Sequence, residues 1–231
     1  MLKKNKKKIL LCCRKSEKYS DLLVKDLKPK ADLKIFFSRT YNEKLPKYFY
    51  KFNYDYIINF RSYLILNKKI LKKAKYSINF HPSLPKYRGV GCANYAIMNN
   101  EKYFGSTIHL VNDKIDSGKI INVKKFKLSP NPTLKYLLET THRSMFLQAL
   151  NFVNKLLKDK INIEFEINKN KYKWSKQYNN LIKLNKFYNL DIKFNKKKFK
   201  KYLRATIIDN FRPSIKINGE IFFHVPTKNR K

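Results

Sequence analysis

The chain has 231 residues, of which 53 are Lys or Arg and 16 are Asp or Glu, so its formal net charge is +37. Apolar residues make up 43% and aromatic residues 15%, more than intrinsically disordered chains carry. Length and composition therefore exclude a disordered tail or a peptide-like module. They predict one globular domain with at most a small appendage.

The positive charge does not by itself assign a function. Only eight of the 53 basic residues are arginine, the residue on which base-reading interfaces depend most. A chain rich in Lys, Asn, Ile, Tyr and Phe is also what an A/T-biased coding sequence produces. The lysine-rich run at 196–201 is accordingly interpreted as a solvated face rather than a phosphate-binding patch.

The cysteines and the hydropathy pattern indicate a cytoplasmic protein. Cys12, Cys13 and Cys92 do not form a paired disulfide framework, which favours a reducing compartment. No apolar run approaches the roughly 18 residues of a membrane span, and the run at 9–13 is short for a signal peptide. We therefore expect a soluble cytoplasmic protein without a membrane partner.

Strand-like apolar runs alternate with helix-length segments over the first 160 residues. Residues 16–26 have helical character, and residues 131–158 carry apolar residues at helical spacing, with Pro132 suited to the first turn. This alternation predicts an α/β fold, a Rossmann-like and mostly parallel sheet with helices on both faces. The predicted strands are residues 8–14, 32–38, 55–60, 76–80, 106–111 and 120–126.

The texture changes after about residue 159, where the chain becomes rich in Asn and Lys. Short strand-like pieces appear at 161–167 and 214–225, and the pair Asn218-Gly219 is a strong hairpin signal within the second. We predict a main domain at 1–158 and a small α+β C-terminal extension with a hairpin at 159–231.

Several common cofactor motifs are absent. The chain has only five glycines, and neither the G-x-G-x-x-G nor the G-x-x-x-x-G-K-[ST] spacing occurs. The four histidines are dispersed and the cysteines lack C-x-x-C spacing, so no metal site is expected.

Two segments carry the chemistry. The sequence NFHPSLPKYRG at 79–89 follows a predicted strand directly, and alternation places Asn79 and His81 on the same side of it. The carboxyl end of a strand is where open α/β sheets bind ligands. The second segment, 105–118, carries two carboxylates after its strand and ends in Asp116-Ser-Gly. A carboxylate beside His81 would orient that ring and stabilise its charge.

In order, these segments contain Asn-x-His-Pro-Ser, Tyr-Arg-Gly, Gly-x-Thr-x-His and Asp-x-Gly-x-Ile. This set resembles the 10-formyltetrahydrofolate-dependent formyltransferases, which include glycinamide ribonucleotide, methionyl-tRNA and amino-sugar formyltransferases. The likeness spans about residues 9–126. It implies that residues 1–158 form a catalytic domain, that 10-formyltetrahydrofolate is the formyl donor, and that no metal is required.

The resemblance also implies a catalytic trio of Asn79, His81 and Asp116. A neutral amine attacks the formyl carbon, and Asn79 and His81 supply hydrogen-bond donors to the resulting oxyanion. Asp116 holds His81 as a donor and helps to move the proton of the amine.

Other residues are assigned to binding. The turn at 112–115 resembles the folate-binding loop of the family, which acts through backbone groups, although Asp113 is equally well explained as a turn former. Tyr87 and Arg88 are assigned to the acceptor substrate, with loop fixation as the alternative for Arg88. For His109 a structural role is favoured, and Cys92 is interpreted as a small buried residue. The predicted folate-binding residues are Asn112, Asp113, Lys114 and Ile115.

The acceptor is predicted to be the amine of an amino-sugar nucleotide. Residues 12–17 lack the glycines with which the purine-pathway enzyme holds a phosphate, and 203–206, Pro213 and Asn218-Gly219 resemble the short tail of amino-sugar formyltransferases. Methionyl-tRNA is the alternative, because so basic a chain would bind tRNA phosphates. A non-catalytic basic nucleic-acid-binding protein is the alternative from another class. An open sheet with an apolar helix is also compatible with a homodimer.

Overall fold

The structure is a computed structural model that describes residues 6–41, 43–190, 195–209 and 212–225. The strands of its main domain are β1 (Lys8–Arg14), β2 (Asp32–Ser38), β3 (Tyr54–Phe60), β4 (Ala74–His81), β5 (Arg88–Gly89), β6 (Tyr103–Leu110) and β7 (Ile120–Lys127). Six of them form the central sheet in the order β2-β1-β3-β4-β6-β7, in which β1 to β4 are parallel and β6 and β7 are antiparallel to their neighbours. The mostly parallel sheet predicted from the sequence is thereby confirmed.

Both faces of the sheet are covered. The helices are α1 (Lys18–Leu27), α2 (Lys68–Leu71), α3 (Cys92–Met98) and α4 (Leu134–Leu157), with a 3₁₀ turn at Lys47–Lys51. Ile9 and Leu11 pack on the face covered by α1 and α4, whereas Leu10 packs on the face covered by the 3₁₀ turn and α2. Because β1 is buried on both faces, it reads as a continuous apolar run.

Helix α4 begins at Leu134, three residues after the start of the segment 131–158 that the spacing predicts. Thr133 is its N-cap and accepts a hydrogen bond from the Tyr136 backbone N–H, so Pro132 precedes the helix and does not lie in its first turn. Met145, Ala149 and Val153 on this helix are fully buried against the sheet.

The C-terminal extension is α+β, as predicted. Its elements are α5 (Ile163–Lys169), β8 (Tyr178–Asn179), α6 (Leu181–Phe187), β9 (Asn189–Leu190), α7 (Lys196–Thr206), β10 (Ser214–Ile217) and β11 (Glu220–Phe223). The hairpin is confirmed, since β10 and β11 pair around Asn218 and Gly219, both of which have positive φ. The strand-like interpretation of 161–167 is wrong: Asn162 caps α5 by accepting from the Phe165 N–H, and a helix follows.

Strand pairing and helix packing both join this extension to the main domain. β8 pairs with β5, with Arg88 opposite Tyr178. Helix α7 packs against α3, where Asn94 Nδ2 donates to the Ala205 carbonyl over 2.7 Å. The domain boundary at 158/159 itself stays a prediction.

Candidate active site

The candidate site lies at the carboxyl end of β4, between β3 and β6. Asn79 and His81 are two residues apart on β4 and therefore project to the same side of the sheet. The antiparallel register places His109 of β6 opposite Asn79 and Thr107 opposite His81. A polar cluster is thus assembled from two neighbouring strands.

His81 is held by hydrogen-bond acceptors on both sides of its ring. Nε2 donates to the Tyr87 backbone carbonyl over 2.7 Å, and Nδ1 lies 3.3 Å from Asp116 Oδ2. The residue is only 3% exposed. Two acceptors around one buried ring favour the imidazolium, in which both nitrogens carry protons.

Charge and burial have opposite effects on the pKa values of His81 and Asp116. Burial disfavours protonation of His81, but the Asp116 carboxylate, Cys92 and the Tyr87 carbonyl together outweigh it and raise the pKa of His81 to about 9. Burial likewise disfavours ionisation of Asp116, but the charge of His81, the neighbouring His109 and the Gly89 N–H together hold the pKa of Asp116 well below its ordinary value. At neutral pH the two residues therefore form a buried ion pair.

Asn79 is oriented by two partners. Asn59 of β3 donates to its Oδ1 over 3.0 Å, and its own Nδ2 donates to His109 Nε2 over 3.0 Å. His109 accepts at Nε2 because its Nδ1 donates to the Leu110 carbonyl over 2.7 Å. These contacts fix which way the Asn79 amide faces.

Asp116 joins the two histidines. It has a positive φ of 46° and is buried; Oδ2 accepts from the Gly89 backbone N–H over 2.9 Å, and Oδ1 lies 3.6 Å from His109 Nε2. The three predicted catalytic residues are therefore brought together in one network, in which His109 is a fourth member that sequence reasoning placed in a structural role.

Tyr87 and Arg88 make internal contacts. The Tyr87 hydroxyl is buried between Glu101 and Asn99, at 2.7 and 2.8 Å. Arg88 donates to the carbonyls of Ile115, Asp116 and Ser175, so that it fixes the loop carrying Asp116. Loop fixation is the alternative that this geometry favours, and a role of either residue in substrate binding stays a prediction.

The predicted folate-binding turn is exposed beside this network. Asn112 Oδ1 accepts from the Lys114 N–H and the Ser117 hydroxyl, at 3.1 and 2.8 Å, which shapes the turn. Asp113 Oδ2 lies 3.6 Å from Lys68 Nζ at the start of α2, so the turn faces the segment that follows β3. Ile115 is exposed.

A groove of about 610 Å³ runs along the segment that follows β3. Leu64, Leu66 and Ile70 line it, and the exposed side chain of Ile65 stands at its edge. Charged side chains, including three lysines, share its lining with these apolar residues. Its size and partly apolar lining suit a planar heterocycle. The sequence carried no signal for this groove, because its walls come from residues 43–50 and 64–70, which β3 separates in the chain.

Trp174, the only tryptophan, belongs to the site although it lies in the C-terminal extension. Its Nε1 donates to the Gly118 carbonyl over 2.7 Å, and its ring stands edge to face with His81 and His109, at 5.6 and 5.0 Å between ring centroids. It covers the histidines from the outside. No local pattern at 174 pointed to this contact.

Two features are absent from the described ranges. Among residues 6–41, 43–190, 195–209 and 212–225 there is no cluster of three or more His, Cys, Asp or Glu side chains arranged to hold a metal ion. Over the same residues no helix is both long and apolar enough to cross a membrane.

Comparison with known proteins gives a consistent result. Residues 4–149 match the family model described as formyl transferase. The methionyl-tRNA formyltransferase of Finegoldia magna is 34% identical over 111 residues, a match that covers 47% of this chain and 34% of that protein. The chain thus spans about a third of the length of this curated relative.

Solved structures share the fold over nearly the whole chain. A 4-N formyltransferase from Francisella tularensis superposes with a TM-score of 0.74 at 17% identity, covering 95% of this chain and 97% of that one. An N-formyltransferase from Helicobacter canadensis, in complex with folinic acid and dTDP-3-aminofucose, superposes with a TM-score of 0.70 at 16% identity, covering 92% and 84%. With the family model matching more than half of the sequence, this chain belongs to the formyl transferase family.

Proposed function

We propose that the protein transfers a formyl group from 10-formyltetrahydrofolate to the primary amine of a nucleotide-linked amino sugar. The observation that carries this proposal is the network of Asn79, His109, Asp116 and His81 at the carboxyl end of β4, in a chain of the formyl transferase family.

Asn79 is assigned to hold the formyl oxygen. Asn59 occupies its Oδ1, and His109 accepts one of its two amide hydrogens. The second hydrogen is free to donate where negative charge develops on that oxygen. Because the amide is already oriented, no reorganisation is needed at the moment of reaction.

His81 and Asp116 are assigned electrostatic roles. As a buried imidazolium, His81 places a positive charge near the developing oxyanion, where low dielectric strengthens its effect. Asp116 is a weak base, since its pKa is held low, and it therefore stabilises the charge on His81 and the positive charge that develops on the attacking amine.

The amine would attack the formyl carbon of the donor, the bond from that carbon to the donor nitrogen would break, and the proton that the amine loses would pass to the departing tetrahydrofolate nitrogen. The exposed turn at 112–115 and the apolar groove lined by Leu64 and Leu66 are the parts of this chain that would hold its heterocycle. The folinic acid bound by the Helicobacter canadensis protein supports a folate donor. No metal is included in this proposal.

An amino-sugar nucleotide is the favoured acceptor. The dTDP-3-aminofucose bound by the Helicobacter canadensis protein supports this class. Methionyl-tRNA is the second candidate, favoured by the 34% identity to the Finegoldia magna enzyme and by the net charge of +37.

The test follows tetrahydrofolate release from 10-formyltetrahydrofolate with a panel of amino-sugar nucleotides and with methionyl-tRNA. His81→Ala is the control. Release with one sugar nucleotide, lost in the variant, is the expected result. Transfer to tRNA alone would overturn the acceptor assignment, and no transfer to any amine would overturn the enzymatic proposal. The cytoplasmic location stays a prediction.

A further inference from the structure

A second charged cluster lies beside the candidate site, where β1 and β3 end. Cys13 of β1 lies opposite Phe60 of β3, so the residues that follow them, Arg14 and Arg61, leave adjacent strands at the same edge. β2 pairs on one side of β1 and β3 on the other. This is the topological switch point of the sheet, the position at which open α/β sheets bind ligands.

Arg61 is buried with one anionic partner. Its side chain is 10% exposed, and its Nε lies 3.2 Å from Glu17 Oε2. That same carboxylate oxygen also accepts from the backbone N–H and the hydroxyl of Ser20, each over 2.9 Å, as the N-cap of α1. The Glu17 carboxylate therefore interacts both with the Arg61 guanidinium and with the N-terminus of α1.

Arg14 is held in place without an anionic partner. Its guanidinium carbon lies 4.0 Å above the centre of the Tyr63 ring. Its Nε is buried and has no hydrogen-bond partner among the described residues. Buried donors of this kind are normally paired, so the arrangement is incomplete by itself.

His142 does not neutralise the positive charge of Arg14 and Arg61. Burial, together with the charges of Arg61 and Arg14, lowers the pKa of His142 of α4 to about 3, so the ring is neutral at physiological pH. Two guanidiniums therefore share one carboxylate. A doubly charged oxyanion would balance the cluster and match the planar donor forks of arginine.

We propose that Arg14 and Arg61 bind a phosphate group of the acceptor substrate. The cluster lies one to two strands away from Asn79, a distance of roughly 5–10 Å, which a sugar ring between an amine and a phosphate would span. This inference rests on the proposed function and adds the residues that select a nucleotide-linked acceptor. The glutamate carboxylates of the donor are the competing source of an anion.

The experiment uses Arg14→Gln, because Arg14 makes no ion pair with any residue that the structure describes and its replacement leaves the Glu17 and Arg61 contact intact. Arg143→Gln is the matched control, since Arg143 is exposed on α4 next to His142. Calorimetry with a nucleoside diphosphate and with inorganic pyrophosphate measures binding, and steady-state kinetics measure KM for each substrate.

We expect Arg14→Gln to weaken nucleoside diphosphate binding by about 10- to 100-fold and to raise KM for the acceptor by a similar factor. KM for 10-formyltetrahydrofolate should stay unchanged, and Arg143→Gln should bind like the wild type. Arg14→Lys should recover part of the affinity, because it restores the charge but not the fork.

Three outcomes would overturn the inference: unchanged diphosphate binding in Arg14→Gln, an equal loss in Arg143→Gln, or a rise in KM for the formyl donor alone. The binding measurement does not depend on turnover. If Arg14→Gln loses diphosphate binding while no amine is formylated, the phosphate site stands and only the proposed function fails.

Discussion

The ring of Trp174 stands at 88° to the ring of His109, with centroids 5.0 Å apart. A side chain from the C-terminal extension thus closes a site built from two strands of the main domain. The hydrogen bond from Trp174 to the Gly118 carbonyl ties this cover to the turn that carries Asp116. The extension therefore limits the access of water to the buried ion pair.

Trp174 should report the protonation of His81. Because it is the only tryptophan and lies 5.6 Å from His81, an imidazolium beside it quenches its emission. We expect fluorescence to rise with pH around a midpoint of about 9. The transition should vanish in His81→Asn, and a midpoint near the ordinary value of 6.5 would contradict the buried ion pair.

The ion pair should also make stability depend on pH. The folded pKa of His81 lies above its unfolded value, so its contribution is complete below about 6.5 and is lost as pH rises through about 9. We expect the free energy of unfolding to fall by about 1–2 kcal/mol between about pH 6.5 and about pH 8. The depressed pKa of Asp116 causes a further loss only when pH falls through acidic values.

Urea unfolding at several pH values measures this slope. In Asp116→Asn the carboxylate that stabilises the protonated form of His81 is removed, and we expect the decline over this window to disappear. An unchanged slope in that variant would assign the pH dependence to other groups.

Asn79 should matter more for turnover than for binding. Replacing it with Ala removes the donor to the formyl oxygen, and we expect kcat to fall by about 100- to 1000-fold with little change in KM. Asn59→Ala, which removes only the hydrogen bond that orients Asn79, should cost clearly less. Equal losses in the two variants would argue against direct contact of Asn79 with the reacting atoms.

Gly118 should be intolerant of a side chain. A Cβ there would lie 1.8 Å from the Leu110 carbonyl oxygen, the atom that holds His109 Nδ1. We expect Gly118→Ala to lower the free energy of unfolding by about 2–3 kcal/mol. Gly219→Ala is the comparison, because a Cβ there meets no other atom and is opposed only by the backbone φ of 91°. We expect that substitution to lower the free energy of unfolding by about 1 kcal/mol. Thermal unfolding of both variants checks the order.

The hairpin is where we expect the predicted homodimer to form. Ile221, Phe222 and Phe223 on β11 are all exposed, and β11 is the edge strand of its small sheet. Apolar edges of this kind are usually covered. Sedimentation should show a dimer that Phe223→Ser dissociates, whereas a monomeric wild type would refute the homodimer.

Local pattern was sufficient for the six strands of the central sheet, whereas the trio of Asn79, His81 and Asp116 was implied by the family resemblance. β1 is apolar because it is buried on both faces, and period-two alternation alone placed Asn79 beside His81. Apolar and polar residues alternate at 161–167 as they do in a strand, but Asn162 caps a helix that begins at Ile163. The roles of His109, Asn59 and Trp174 depend on strand register and on docking of the extension, which no local window contains.

The most direct test of the central claim compares kcat/KM for formyl transfer to an amino-sugar nucleotide with that for methionyl-tRNA, using 10-formyltetrahydrofolate as donor. The account predicts transfer to the sugar nucleotide at the higher efficiency, and its loss in Asn79→Ala. Higher efficiency with methionyl-tRNA, or transfer that survives in Asn79→Ala, would contradict it.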